Sequence, residues 1–280
     1  METNKSIELK GKVSAWLQTQ GYPLEMKVAK AARLNGTFQV RQGWHYLDAD
    51  TTVSRETDVV LTVSDHYGLV EINFVIECKS SNKPWILFLA DNVAESYSTI
   101  HSFGFFTEEA LNAIFEIKEY MFDVKRDANS SEKNTPKRLL WNKGCKITAY
   151  NLTQAFDGNS DAPYAATMSS IKAALWLSKN SFWSGCGPKF AISIPIVVTS
   201  STLFSCYLNK TNESQLDQIQ NGKLFSTQFI NGEQRGVNVY ITTEDYIEKL
   251  IHECQLQATE LMNIFNIYIK KHGAIELMTS

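Results

Sequence analysis

Two extended runs decide the fold of this chain. Residues 55–65 read RETDVVLTVSD and residues 68–81 read GLVEINFVIECKSS, with a short turn at His66 and Tyr67 between them. Side chains alternate between the two faces of a strand, so Glu77 and Lys79 point the same way at the end of a long apolar run. The second run therefore predicts a buried strand from which a carboxylate and an ammonium project together.

Asp58 lies on the first of these two runs. If the runs pair as a hairpin, Asp58 comes close to Glu77 and Lys79 at one edge of the sheet. Two carboxylates and a lysine in this arrangement can hold a magnesium ion and a phosphate, because magnesium prefers hard oxygen ligands and keeps several waters.

An acid on one strand followed by Glu-x-Lys on the next resembles the catalytic signature of the PD-(D/E)XK nuclease superfamily. The resemblance covers residues 20–90, and Thr57 stands where the family has a proline before the acid. It implies an α/β protein with the restriction-endonuclease-like fold, a mixed central sheet flanked by helices. It also implies a metal-dependent nuclease, most typically a DNA endonuclease of restriction, repair or anti-phage defence.

The resemblance assigns roles to individual residues. Asp58, Glu77 and Lys79 would be catalytic, with Lys79 orienting the attacking water or offsetting charge on the phosphate. Asp58, Glu77 and the main-chain carbonyl of Cys78 would bind Mg²⁺, for which Mn²⁺ can substitute. Members of the family often add an acid from a helix before the first strand, and Glu25 matches that position.

The helix that carries Glu25 is predicted over residues 23–34, with Pro23 at its first position and Gly36 at its end. Glu25 shares a face with Val28 and Ala29, so an acid lies on an apolar stripe. One interpretation makes Glu25 part of the metal shell. The other makes it a solvated first-turn glutamate that interacts with the helix dipole.

Nucleic-acid contacts are expected at two places. Ser81 and Lys83 follow the Glu-x-Lys triplet, where polar residues in the family commonly face the phosphate. Residues 125–146 are net basic in an acidic protein and include Lys137 and Arg138. This turn-rich segment can follow a phosphate backbone, or it can be an ordinary solvated loop.

The whole chain, residues 1–280, is predicted to be one elaborated domain. Its nuclease-like core spans about 20–90, a helical insertion about 91–185, and further strands and a long helix about 190–271. Helices are predicted at 3–19, 23–34, 91–100, 107–122, 165–179 and from Thr242 to about 271. Strands are predicted at 37–47, with Gly43 a candidate bulge, at 55–65, 68–81, 190–199, 203–208, 224–230 and 236–242. Residues 86–90 form a further apolar run. Pro195 is expected to push its strand towards an edge or a bulge. The acids Asp48, Asp50 and Glu56 are predicted to be loop residues rather than ligands.

Composition sets further bounds. The 280 residues carry a formal net charge of −3, which argues against a surface that coats nucleic acid generally. No signal peptide and no membrane span is recognisable, so the cytoplasm is the expected location and no membrane partner is expected. The five widely spaced cysteines suggest reduced thiols rather than disulfides or a zinc site.

Several alternatives stay open. Glu77 and Lys79 can be a simple same-face ion pair, worth little at a surface. The chain can be a catalytically silent member of the fold that binds nucleic acid or a partner protein, or an interaction protein that assembles through its last helix. Another phosphoryl chemistry is disfavoured because there is no glycine-rich phosphate loop. For the nuclease, DNA is favoured over RNA, and a homodimer and a regulatory partner are expected.

Overall fold

The computed structural model describes residues 4–17, 20–89, 102–122, 148–156, 162–180, 189–230 and 233–273. The helices in these ranges are α1 Asn4–Leu17, α2 Tyr22–Asn35, α3 Glu108–Phe122, α4 Ala162–Lys179 and α5 Ile247–His272. The strands are β1 Gln39–Leu47, β2 Ser54–Ser64, β3 Val70–Lys79, β4 Trp85–Leu89, β5 Phe105–Phe106, β6 Thr148–Gln154, β7 Phe190–Thr199, β8 Leu203–Leu208, β9 Ser214–Ile219, β10 Asn221–Ile230 and β11 Glu233–Thr243.

The described strands form one mixed sheet in the order β1-β2-β3-β7-β11-β10-β6-β4-β8-β9, with β5 paired to β7. The first three strands are an antiparallel meander, and β7 then runs parallel to β3. Parallel neighbours need a crossover, and the chain between β3 and β7 supplies it. The prediction of an α/β protein with a mixed sheet flanked by helices is confirmed.

Two hydrophobic clusters cover the two faces of this sheet. The first packs α2, α3 and α5 against one face and includes Val28, Val59 and Ile76. The second packs α4 against the other face and includes Val60 and Val75. Adjacent residues of β2 and of β3 thus enter opposite clusters, as the alternation of a strand requires. The meander is therefore buried on both sides, which fixes the position of any side chain at its end.

At Gly43 the side chains of β1 change the face of the sheet to which they point, and the predicted bulge does not form. The register is unbroken across it, because Gln42 pairs with Val59 and Trp44 with Thr57. Its φ is +62°, a left-handed conformation that glycine adopts at little cost. Val40, Trp44 and Tyr46 are an even number of residues apart, so a regular strand would point all three to one face. Val40 instead packs against the first cluster, and Trp44 and Tyr46 pack in the second.

The prediction that Pro195 places its strand at an edge or a bulge is wrong. All ten residues of β7 are buried, and the strand lies between β3 and β11. Pro195 is opposite Val75 in a parallel ladder without a register shift. A proline removes only one donor, and a strand buried in apolar clusters on both faces tolerates that loss.

Three element predictions need correction. Thr242 belongs to β11, and α5 begins at Ile247 after a 3₁₀ turn, Glu244–Tyr246. The stretch 91–185, expected to be helical, contains β5 and β6, and β6 joins the main sheet beside β10. Strand β9 lies at the sheet edge and was not predicted. Its largely exposed residues lack the apolar run that marks a buried strand.

Some predictions fall outside the described residues: the helix at 91–100 and the whole basic segment at 125–146. The other predicted helices and strands agree with the structure apart from small shifts at their ends. Within the described ranges, no helix has both the length and the hydrophobicity needed to cross a bilayer. The three cysteines in these ranges, Cys78, Cys206 and Cys254, are free thiols.

Candidate active site

The candidate site lies at the end of the β2–β3 hairpin, where the sheet meets the first turn of α2. The ladder pairs Val59 with Ile76, so Asp58 and Glu77 are the next residues outward on neighbouring strands. The hairpin predicted from the sequence therefore brings the two carboxylates together. Both side chains are only partly buried, as a site that binds a ligand requires.

Asp58 is fixed by the strand opposite. Its Oδ2 accepts a hydrogen bond of 2.6 Å from the main-chain nitrogen of Cys78. Oδ1 makes no hydrogen bond within the described residues. One oxygen of the carboxylate thus holds the side chain in place, and the other is left for a ligand.

Glu77 is fixed in the same way from another element. The hydroxyl of Ser169, on α4, donates a hydrogen bond of 2.9 Å to Oε2 of Glu77. Oε1 has no hydrogen-bond partner in the part of the chain that the structure describes. Two carboxylates on adjacent strands therefore each offer one oxygen.

Lys79 lies beside these acids without an ion pair to them. Its charge lowers the pKa of both Asp58 and Glu77, so it is within electrostatic reach of the pair. Among the described residues, however, its ammonium has no carboxylate oxygen within 4.0 Å. The alternative in which Glu77 and Lys79 form an ordinary ion pair is therefore not what the structure contains.

Glu25 reaches the same region from the first turn of α2. A Cβ on Gly21 would lie 3.5 Å from Oε1 of Glu25 and 3.7 Å from the main-chain oxygen of Cys78. The carboxylate of Glu25 and the carbonyl of Cys78 therefore both lie beside the same glycine. Glu25 is half-buried rather than fully solvated, and its carboxylate has no hydrogen-bond or ion-pair partner within the described ranges.

Burial disfavours the charged form of all three acids of the site. Burial, followed by the charge of Asp58, raises the pKa of Glu77 to about 8. Burial is also the largest cause at the other two acids: it raises the pKa of Glu25 to about 7 and that of Asp58 to about 6, with Glu56 adding to both. Mutually destabilised carboxylates in a partly buried position are typical of functional sites.

The donor set suits a hard divalent cation. Carboxylate and carbonyl oxygens are the ligands that Mg²⁺ prefers, and Mg²⁺ usually keeps several waters. Within the described residues, Asp58 and Glu77 each leave one oxygen without a hydrogen bond, so each can offer that oxygen to an ion. The described residues contain no group of three or more His, Cys, Asp or Glu side chains able to hold a metal ion by themselves. The set that fits is thus two carboxylates and a main-chain carbonyl, completed by water.

Two residues of the site were missed by sequence analysis. Glu56 was interpreted as a loop residue, but it lies on β2 and its charge raises the pKa of Glu25 and Asp58. Its position two residues before Asp58 on a strand was the available signal. Ser169 carries no signal in the sequence, because its contact with Glu77 depends on how α4 packs. Asp48 and Asp50 are turn residues that bind Lys172, as expected of non-ligands.

The structure does not bring together all the residues that are predicted to contact nucleic acid. The hydroxyl of Ser81 lies among polar neighbours at the ends of β3 and β7: it donates to Oε1 of Gln154 at 3.1 Å and accepts from the nitrogen of Lys83 at 3.1 Å. Ser81 thus organises the turn after Lys79. Lys137 and Arg138 lie outside the described residues.

Comparison with known proteins identifies no relative of this chain. No protein-family model, no curated protein and no solved structure matches this chain.

Proposed function

We propose that this protein is a metal-dependent nuclease of the PD-(D/E)XK type that hydrolyses phosphodiester bonds. One observation carries the proposal: Asp58 and Glu77 meet at the end of a hairpin next to Lys79. Among the described residues, each acid has one oxygen held by a hydrogen bond and one without a partner, and Lys79 forms no ion pair. The order of elements supports it, since a helix with an acid precedes a strand and a hairpin that ends in Glu-x-Lys. The restriction-endonuclease-like fold is part of this proposal.

Asp58, Glu77 and the carbonyl of Cys78 would hold the ion, with Glu25 in reach of the same region. The chemistry that a divalent ion supplies in such a site is polarisation of the scissile phosphate and a lowered pKa of water. Lys79 places a compact ammonium beside the phosphate, where it offsets the charge that develops during attack. The Cys78 amide and the Ser169 hydroxyl hold the two carboxylates in one orientation, which limits reorganisation during the reaction.

The proposal retains the expectations made from the sequence about substrate and setting. DNA is the expected substrate, the cytoplasm the expected compartment, and a homodimer the expected form for cutting both strands. A role in restriction, repair or anti-phage defence, and a regulatory partner that restrains the activity, belong to the same proposal.

The test is cleavage by purified wild type and by the Asp58→Ala and Lys79→Ala variants. Plasmid DNA, single-stranded DNA and RNA are incubated with Mg²⁺, with Mn²⁺ and with chelator. Wild type should cleave only with metal, and both variants should lose cleavage while their circular dichroism and thermal unfolding stay native-like. Lys30→Ala removes an exposed lysine on α2 and serves as the matched control, with wild-type activity expected.

The outcomes separate the alternatives. If the Lys79→Ala variant cleaves at the wild-type rate, the catalytic role of Lys79 is wrong. Wild type that binds nucleic acid but never cleaves would instead identify a catalytically silent member of the fold.

A further inference from the structure

Helix α4 reaches into the candidate site through a single hydroxyl. The other serines and threonines of α4 donate to main-chain carbonyls of their own helix: Thr167 to Pro163 at 2.8 Å, Ser170 to Thr167 at 2.9 Å and Ser178 to Leu175 at 2.8 Å. Such bonds back to the preceding turn are the common habit of hydroxyl side chains in helices. Ser169 differs, because its hydroxyl leaves the helix and donates to Oε2 of Glu77.

The position of this hydroxyl is fixed by an ion pair one turn further along α4. Lys172 lies three residues after Ser169 and therefore on the same side of the helix. Its ammonium is 3.1 Å from Oδ1 of Asp48 and 2.8 Å from Oδ2 of Asp50, in the turn between β1 and β2. Asp48 is only 1% exposed and also accepts from Nε of Arg55 at 2.7 Å and from the main-chain nitrogen of Asp50 at 3.0 Å. A buried acid with three donors around it is a rigid anchor, so α4 cannot slide without breaking it.

The surroundings of Ser169 limit what else it can do. Tyr46, on β1, is 2% exposed and lies beside Ser169, whose hydroxyl opposes the rise that burial causes in the pKa of Tyr46. The reversal of facing at Gly43 is what puts Tyr46 on this side of the sheet. Ser169 thus lies between the Tyr46 phenol and the Glu77 carboxylate, and it donates its hydroxyl proton to the carboxylate.

We propose that Ser169 is a positioning residue of the metal site: it fixes the Glu77 carboxylate through Oε2 so that Oε1 is the oxygen offered to the ion. The inference rests on the proposed function, because it assumes that Glu77 is a ligand. Groups that bond to metal-ligating carboxylates orient them, and removing such a group typically weakens metal binding by about 10- to 100-fold. Ser169 is partly exposed, so water can replace part of its bond and the effect lies at the low end of this range.

The test measures metal binding in the absence of nucleic acid, with Mn²⁺ as the probe. Isothermal titration calorimetry at pH 8 compares the wild-type full chain with Ser169→Ala, Ser169→Thr and Ser170→Ala. Ser169→Ala should weaken Mn²⁺ binding about 10-fold. Ser169→Thr keeps the hydroxyl and should restore the wild-type affinity. Ser170→Ala removes a hydroxyl that bonds only within α4 and should bind Mn²⁺ like wild type.

Thermal unfolding of the four metal-free proteins accompanies the titrations. A native-like transition for Ser169→Ala together with weaker Mn²⁺ binding supports the positioning role. Wild-type affinity in Ser169→Ala would overturn it, as would an equal loss in Ser170→Ala, since both would mean that the hydroxyl does not act through Glu77. Wild type that binds no Mn²⁺ would overturn the metal site of the proposed function as well, so the two failures are distinguishable.

Discussion

The main-chain nitrogen of Cys78 donates a 2.6 Å hydrogen bond to Oδ2 of Asp58 across the β2–β3 hairpin. The residue between Glu77 and Lys79 thus orients the acid on the opposite strand through its backbone, whatever its side chain. The bond favours the charged form of Asp58, but burial outweighs it and the pKa of Asp58 still rises to about 6. An acid that is held in place and destabilised in its charged form lowers the stability of the fold at high pH.

The first prediction is that the fold loses stability as pH rises through the range in which these acids ionise. The pKa of Glu77 rises from its ordinary value of 4.5 to about 8 on folding, so the folded protein keeps a proton that the unfolded chain has lost. The free energy of unfolding therefore falls between about pH 5 and pH 8. Glu77→Gln cannot lose this proton and should lose about 1 to 3 kcal/mol less than wild type between pH 6 and pH 8.

Urea unfolding followed by circular dichroism, in chelator and at several pH values, measures this difference. Glu248→Gln, at an exposed position on α5, controls for the loss of one carboxylate and should follow wild type. If the stability of Glu77→Gln also followed that of wild type at every pH, the charged form of Glu77 would not be destabilised in the fold. The electrostatic argument for a metal site would then be wrong.

The second prediction concerns stabilisation by metal. Ligands must be deprotonated to bind, so Mg²⁺ and protons compete for Asp58 and Glu77. Saturating Mg²⁺ should therefore raise the thermal midpoint of wild type more at pH 8 than at pH 6. Asp58→Asn keeps an oxygen that can accept from the Cys78 amide but carries no charge, and it should lose this stabilisation. Thermal melts with Mg²⁺, Ca²⁺ and chelator measure it, and an equal shift in Asp58→Asn would place the ion elsewhere.

Much of the fold could be predicted from local patterns. The hairpin follows from two apolar runs, and α5 from a continuous apolar stripe that includes Leu250, Cys254 and Ala258, all of which are buried. The position of β7 could not be predicted from Pro195, because burial in two clusters outweighs the loss of one donor. The edge strand β9 could not be predicted either, since its hydrogen bonds to β8 need no apolar pattern.

In the candidate site, too, the residues placed by local rules could be predicted and those placed by tertiary packing could not. Asp58, Glu77 and Lys79 could be predicted because the alternation of a strand and the pairing of a hairpin are local rules. Ser169 could not, because it lies 92 residues from Glu77 and meets it only through the packing of α4. Glu56 is predicted to be a loop residue, but it lies on β2. Its side chain is exposed, and its charge raises the pKa of Asp58.

The third prediction tests that effect of Glu56. Its charge raises the pKa of Glu25 and Asp58 and adds to the negative potential at the site. Glu56→Gln should weaken Mn²⁺ binding about twofold at pH 8, the size expected for one exposed charge. The difference should shrink at high ionic strength, because salt screens exposed charges. Titrations at low and high salt measure it. A loss that persists at high salt would mean that Glu56 contacts the ion directly.

The fourth prediction compares two glycines that share a backbone conformation. Gly43 has a φ of +62° and Gly68 a φ of +70°, so alanine is strained at either position. Each substitution should lower the free energy of unfolding by about 1 to 2 kcal/mol. They differ in the neighbours of the new methyl group. At position 43 it would lie 2.9 Å from Oε1 of Glu56, whereas at position 68 no atom of the described residues lies within 4 Å.

Gly68→Ala is therefore the matched control for a shift of Glu56. Because the Glu56 side chain is exposed, its carboxylate can swing away at little cost, and Gly43→Ala should be no less stable than Gly68→Ala. Only Gly43→Ala should change Mn²⁺ binding, and it should do so to the same extent as Glu56→Gln. The double variant Gly43→Ala with Glu56→Gln should then bind like either single variant, because both act through one carboxylate. Additive losses in the double variant would mean that Gly43 shapes the site by another route, through the facing of β1 and the position of Tyr46.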